Sequence, residues 1–114
     1  MNEYELEIDS LRRTLDRLRL EEADAQVIDE YEAELRILRA LYSAAGRTLL
    51  AGAHDPRLAG ALGRLGFGAW SLTGVYSFVY EEAMAAEAGD RDLAALIGEA
   101  DFAATLLSAA GELN

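Results

Sequence analysis

Residues 51–56 read Ala51-Gly52-Ala53-His54-Asp55-Pro56, and this short stretch decides the fold. A glycine with no Cβ closes a helix readily, because it accepts the left-handed backbone that ends many helices. Asp55 can accept hydrogen bonds from the free amides of a following helix, and Pro56, whose φ is already near the helical value, suits its first position. The segment therefore predicts a helical hairpin turn at 52–56, provided that both flanks are helical.

Upstream they are. Tyr31, Leu35, Leu38, Tyr42, Ala45 and Leu49 recur at spacings of four and three, as do Tyr4, Ile8, Leu11, Leu15 and Leu18, which is the seam of an amphipathic or coiled-coil helix. Unlike charges four apart (Asp9 with Arg13, Arg12 with Asp16, Arg17 with Glu21, Glu32 with Arg36) support the outer faces by roughly 0.2–0.5 kcal/mol each. Between Leu18 and Tyr31 the seam loses step. Either a single helix bends over residues 20–27, or one helix ends near Glu22 and another starts with Asp24 as its N-cap. The spacing favours one long, bent helix. Unbroken from residue 3 to 51, it would run roughly 70 Å at 1.5 Å per residue, too long for this chain to cover without a partner.

Downstream, Leu58, Leu62, Leu65, Ala69, Leu72, Tyr76, Val79 and Ala83 continue the four-three spacing. Gly60, Gly63, Phe67, Trp70, Gly74 and Ser77 form a second stripe, and residues 65–80 carry no charge, so this segment is expected to be the central apolar helix. Gly89 and Asp90 are expected to end it and to cap a short C-terminal helix whose Leu93, Leu96, Ile97, Ala100, Ala103 and Leu107 face inward. No segment alternates with the period of a strand. The expectation is an all-α helical bundle, a single domain over 1–114.

Composition bounds the function. The chain has 114 residues, 52% of them hydrophobic, with one proline and no cysteine, which removes disulfides, zinc–thiolate sites and thiol nucleophiles. The formal net charge is −11, and all ten cations are arginines. Twelve acids and six arginines lie in residues 1–42, one acid and three arginines in 43–80, and eight acids and one arginine in 81–114. Such a surface repels nucleic-acid phosphate and anionic lipid and favours a basic protein partner. An acidic start with no apolar core to it points to the cytoplasm.

The candidate constellations are few. Gly60-x-x-Gly63-x-x-Gly66-x-Gly68 could cradle phosphate, but no strand precedes it and no lysine follows, so close helix packing is the simpler reading. The uncharged run of sixteen residues is short of the roughly twenty that cross a bilayer. His54 is the single histidine; a di-iron bundle needs two Glu-x-x-His motifs and none is present, so His54 is expected to lie exposed on the turn. Glu81, Glu82 and Glu87 read as solvated acids in place of a catalytic pair. No catalytic residue, cofactor site or metal site is expected.

What remains are two groups. Gly60, Gly63, Phe67, Trp70, Gly74, Tyr76 and Tyr80 could form a subunit interface or line an apolar ligand pocket. Arg47, Arg57 and Arg64 could hold an anion or the acidic end of another subunit, or pair with Glu99 or Asp101. The leading expectation is a non-enzymatic acidic interaction protein: an adaptor, assembly subunit or inhibitor of a basic partner. It would self-associate by helix packing, most simply as a homodimer. An apolar-ligand-binding bundle and, behind it, a membrane-associated subunit are the alternatives.

Overall fold

The structure, a computed structural model, describes residues 2–52, 54–64, 71–86 and 92–109, with the backbone alone at 62, 63 and 109. Six helices occupy nearly all of them: α1 (Glu3–Leu20), α2 (Ala25–Gly52), α3 (Pro56–Arg64), α4 (Leu72–Ala86), α5 (Leu93–Glu99) and α6 (Phe102–Ala109). No strand occurs among the described residues, and the fold is all-α as expected.

The N-terminal half is two helices, so the single bent helix is corrected. Leu20 is the last residue of α1, and the amide of Glu22 donates to the Arg19 carbonyl at 3.2 Å while that of Ala23 donates to the Leu18 carbonyl at 3.0 Å. This is a Schellman closure, which requires a left-handed residue just past the cap. Glu22 supplies it at φ 53°, alone among the described non-glycine residues. Asp24 then starts α2, its carboxylate accepting from the Gln26 amide at 2.8 Å. The break turns α1 back along α2. Arg19 accordingly pairs with Glu32 across the hairpin at 2.6 Å, in place of the expected Glu32–Arg36 pair. Arg12 and Arg13 both reach Asp9, at 2.7 and 2.9 Å, so Asp9–Arg13 forms and Arg12 turns to Asp9 instead of Asp16.

The turn at 52–56 is as the sequence implies. Gly52 closes α2 and is buried, the amides of His54 and Asp55 donate to the carbonyls of Ala51 and Gly52, and Pro56 opens α3. The Asp55 carboxylate accepts from the Arg57 amide at 3.0 Å.

Among the described residues the central helix is α2 and not α4; residues 65–70 of the uncharged run lie outside the described residues. Helix α2 packs against each of the other five described helices, and the reason is a second inward stripe: Leu41, Ala44 and Thr48 are buried beside the seam residues Leu35 and Ala45. The core gathers Leu41, Ala44 and Ala45 with Leu58 and Ala61 of α3, Val75, Phe78, Val79 and Ala83 of α4, and Leu93, Ile97, Phe102, Leu106 and Leu107. Thr48, the one buried polar side chain among the described residues, returns its hydroxyl to the Ala44 carbonyl at 2.8 Å. Leu15 and Leu35 are buried apart from this cluster, on the floor of a groove between α1 and α2. The expected C-terminal helix divides in two, because Ala100 has extended backbone and Asp101 caps a new start by accepting from the Ala104 amide. Its first cap is Asp92, which accepts from the amides of Ala94 and Ala95; Gly89 and Asp90 lie outside the described residues.

Two substitutions check this architecture by urea unfolding. Glu22→Gly is expected to raise stability by about 0.5–1 kcal/mol, since a left-handed backbone disfavours any residue with a Cβ. Leu41→Ala is expected to lower it by about 2–5 kcal/mol, the usual cost of emptying a fully buried leucine site.

Candidate functional site

The described residues bring one chemically distinctive group together, and it is built from the start of α1. Asn2 caps that helix, its side-chain oxygen accepting from the Glu5 amide at 3.0 Å, while its side-chain nitrogen donates to the Tyr42 hydroxyl of α2 at 3.0 Å. The Tyr42 hydroxyl in turn donates to the Glu5 carboxylate at 2.8 Å. These three bonds fix the first turn of α1 against α2. Tyr4, in that turn, is thereby held between two other helices. Its ring stacks on Tyr76 of α4 with centroids 4.1 Å apart and planes 23° from parallel, and meets Tyr42 at 6.2 Å in a tilted arrangement.

Tyr80 follows Tyr76 by one helical turn on α4, and the two share a face. Tyr4, Tyr76, Ser77, Tyr80 and Glu81 line an open pocket of about 370 Å³. Tyr76 is half-buried, whereas Tyr80 is 47% exposed and Glu81 is exposed. Burial of its ring pushes the Tyr76 hydroxyl up to about 12, with the negative charge of Glu7 and the neighbouring Tyr4 and Tyr80 hydroxyls adding to the shift. The pocket thus combines three aromatic rings with carboxylate.

The first group of sequence candidates is only partly assembled there. Tyr76 and Tyr80 belong to the pocket; Phe67 and Trp70 lie outside the described residues. Gly74 is buried near the start of α4, where its amide donates to the Ser71 hydroxyl at 3.2 Å. Gly60 is exposed on α3, and a Cβ built on it would meet only the Arg64 guanidinium of its own helix, at 3.8 Å. Gly63 is part of α3, and Gly66 and Gly68 lie outside the described residues.

Among the described residues the three arginines line no common cavity. Arg47 donates to the Ser43 hydroxyl at 2.8 Å and lines a cavity of about 290 Å³ with Thr48, Asp101 and Phe102. Arg57 pairs with Asp55 at 3.2 Å and not with the C-terminal acids. Its side-chain hydrogen bond holds the half-buried Asp55 carboxyl below its ordinary range and raises Arg57 in return. Arg64 lies exposed at the end of α3.

His54 is exposed on the turn. No group of three or more histidine, aspartate or glutamate side chains among the described residues is placed to hold a metal. Glu81 lies at the tyrosine pocket and Glu82 faces the junction of α4 with α5 and α6; Glu87 is outside the described residues. No helix among the described residues is long and apolar enough to cross a membrane.

Sequence reasoning picked out Tyr76 and Tyr80 but not Tyr4, Tyr42 or Glu81 as their companions. Tyr4 and Tyr42 sat on the helical seams, and the spacing within a seam does not say which ring of another helix it will meet. Comparison with protein families, with curated proteins and with solved structures gave no match.

The raised Tyr76 hydroxyl carries a pH signature. Folding favours the neutral phenol, so its contribution is fully present below about pH 10, the ordinary tyrosine value, and is lost as the pH climbs towards 12. Ultraviolet titration of tyrosinate is expected to show one late-ionising tyrosine in the wild type that is missing from Tyr76→Phe, and the variant's stability should fall less between pH 10 and 12.

Proposed function

We propose that this chain is a non-enzymatic, acidic, helical interaction protein of the cytoplasm, which binds a basic protein as adaptor, assembly subunit or inhibitor. The observation that supports it best is an unbalanced surface. The ion pairs of the described residues occupy Asp9, Asp16, Glu32 and Asp55, whereas Glu3, Glu7, Asp29, Glu30, Glu34 and Glu81 are exposed and make no ion pair with an arginine there. With a net charge of −11, the field of these carboxylates extends about a Debye length into solution and draws in a partner of opposite sign. Unpaired surface acid does little for stability, so its accumulation favours a role in recognition.

Self-association is part of the same reading. Leu6, Leu20 and Leu50 are 55%, 86% and 65% exposed on α1 and α2, and a second copy would cover some of that surface. With α1 and α2 folded into a hairpin, the argument from one uncovered long helix no longer applies, so the homodimer rests on these leucines.

The test is capture of the tagged full chain's partner from its native cells, followed by light scattering and a salt series. The expected outcome is a basic protein in stoichiometric amount whose binding weakens at least tenfold between roughly 0.1 and 0.5 M salt, as screening of exposed charge requires. Recovery of the chain alone as a monomer, or a partner held equally at both salts, would overturn the proposal.

A further inference from the structure

The pocket bounded by Tyr4, Tyr76, Ser77, Tyr80 and Glu81 has a chemistry of its own. Three phenol rings bring electron-rich faces to one place, with the Tyr4–Tyr76 stack at 4.1 Å forming one side and the 47% exposed Tyr80 standing free at the rim. Such faces attract cations, and arginine more than lysine, because a planar guanidinium stacks on a ring while its edge donates paired hydrogen bonds to a carboxylate. Glu81 lines the pocket and makes no ion pair within the described residues, and Glu7 is near enough for its charge to act on Tyr76. No arginine is present in either segment that forms the site: residues 2–11 and 71–86 hold six acids and no base. At two other cavities the chain supplies its own counter-charge. The groove between α1 and α2 sets Arg12, Arg19, Arg36 and Arg39 beside Asp16 and Glu32, and the cavity at Arg47 faces Asp101. At about 370 Å³ and open to solvent, the tyrosine pocket has room for a side-chain head group.

We propose that this pocket is the recognition site for an arginine side chain of the basic partner, the guanidinium stacking against the exposed tyrosine face and pairing with Glu81. The inference rests on the reading of the chain as a binder of basic protein and names where on its surface that binding is focused. Charge complementarity selects the occupant: an apolar group would leave Glu81 unanswered, and an anion would meet only acid.

The experiment uses N-acetyl-arginine amide as probe and N-acetyl-citrulline amide, its neutral isostere, as control, titrated into the full chain and followed by NMR. The expected result is a saturating upfield ring-current shift of the arginine δ-methylene, with matching movement of tyrosine ring signals and no response to citrulline. Tyr80→Ala is expected to weaken the arginine complex about two- to fivefold, Tyr80→Phe to keep it, and Glu81→Gln to weaken it while leaving citrulline silent. Both positions are exposed, and circular dichroism confirms that each variant is folded. Equal shifts from citrulline, no saturable arginine shift, or full affinity in Tyr80→Ala and Glu81→Gln would each overturn the pocket. The amides report on the pocket without any macromolecular partner, so the two proposals fail separately. If the chain captures no basic protein but binds arginine amide, the wider reading falls and the pocket stands. If a captured basic protein holds wild type and Tyr80→Ala equally, the pocket falls and the wider reading stands.

Discussion

The reversal at Glu21–Asp24 is the constraint on which the rest of the structure depends. Closing α1 there lets its residues run back along α2, so that Tyr4 reaches Tyr42, Arg19 reaches Glu32, and the first turn of α1 arrives beside α4. The closure uses a glutamate in a left-handed conformation, at a position where glycine is the common choice, and so carries a backbone cost of about 1–2 kcal/mol. What offsets it lies along the hairpin: the burial of Leu15 and Leu35, the Arg19–Glu32 pair, and the hydrogen-bonded chain from Asn2 through Tyr42 to Glu5. Local preference yields here to tertiary contact.

The same residues show what was legible in the sequence and what was not. The hairpin at 52–56 could be read directly, because Gly52, Asp55 and Pro56 each act within a few residues of themselves and their roles do not depend on distant packing. The Asp24 cap was equally readable as one alternative. The break before it belonged to the same alternative but could not be chosen over a bend, since its decisive residue is Glu22, which carries no turn signal, and the lost seam fits a bend as well as a stop. Centrality was misread for a related reason. An uncharged run suggests burial, but the seam of α2 hid a second apolar stripe, Leu41, Ala44 and Thr48, two of whose members are small or polar and weigh little in a hydrophobic pattern. Thr48 fits the core only because its hydroxyl is satisfied on the preceding turn.

The candidate site divides along the same line. Tyr76 and Tyr80 are neighbours on one helix, and helical spacing alone placed them together. Tyr4 joins them from more than seventy residues away in sequence, by way of a reversal, a helix cap and a hydrogen-bonded tyrosine. No periodicity within a single segment contains that information. Of the glycine stripe, Gly60 has the guanidinium of Arg64, on its own helix, as its neighbour among the described residues.

Charge and fold finally bear on each other. The arginines of α1 begin only at Arg12, beyond the turn that meets α4, so the antiparallel hairpin separates them from the tyrosine end of the bundle by about two helical turns or more. Arg12 and Arg13 are then occupied by Asp9 in the middle of α1, and Arg19 by Asp16 and Glu32 near the reversal. Glu3, Glu7 and Glu81, exposed and without an ion pair among the described residues, lie at the opposite end, alongside the half-exposed rings. A chain that was acidic throughout would attract cations diffusely. Folding α1 back instead brings the acids of its first turns, with no arginine among them, beside the half-exposed rings of α4, and that combination of acid and aromatic surface gives an electrostatic attraction an address on the molecule.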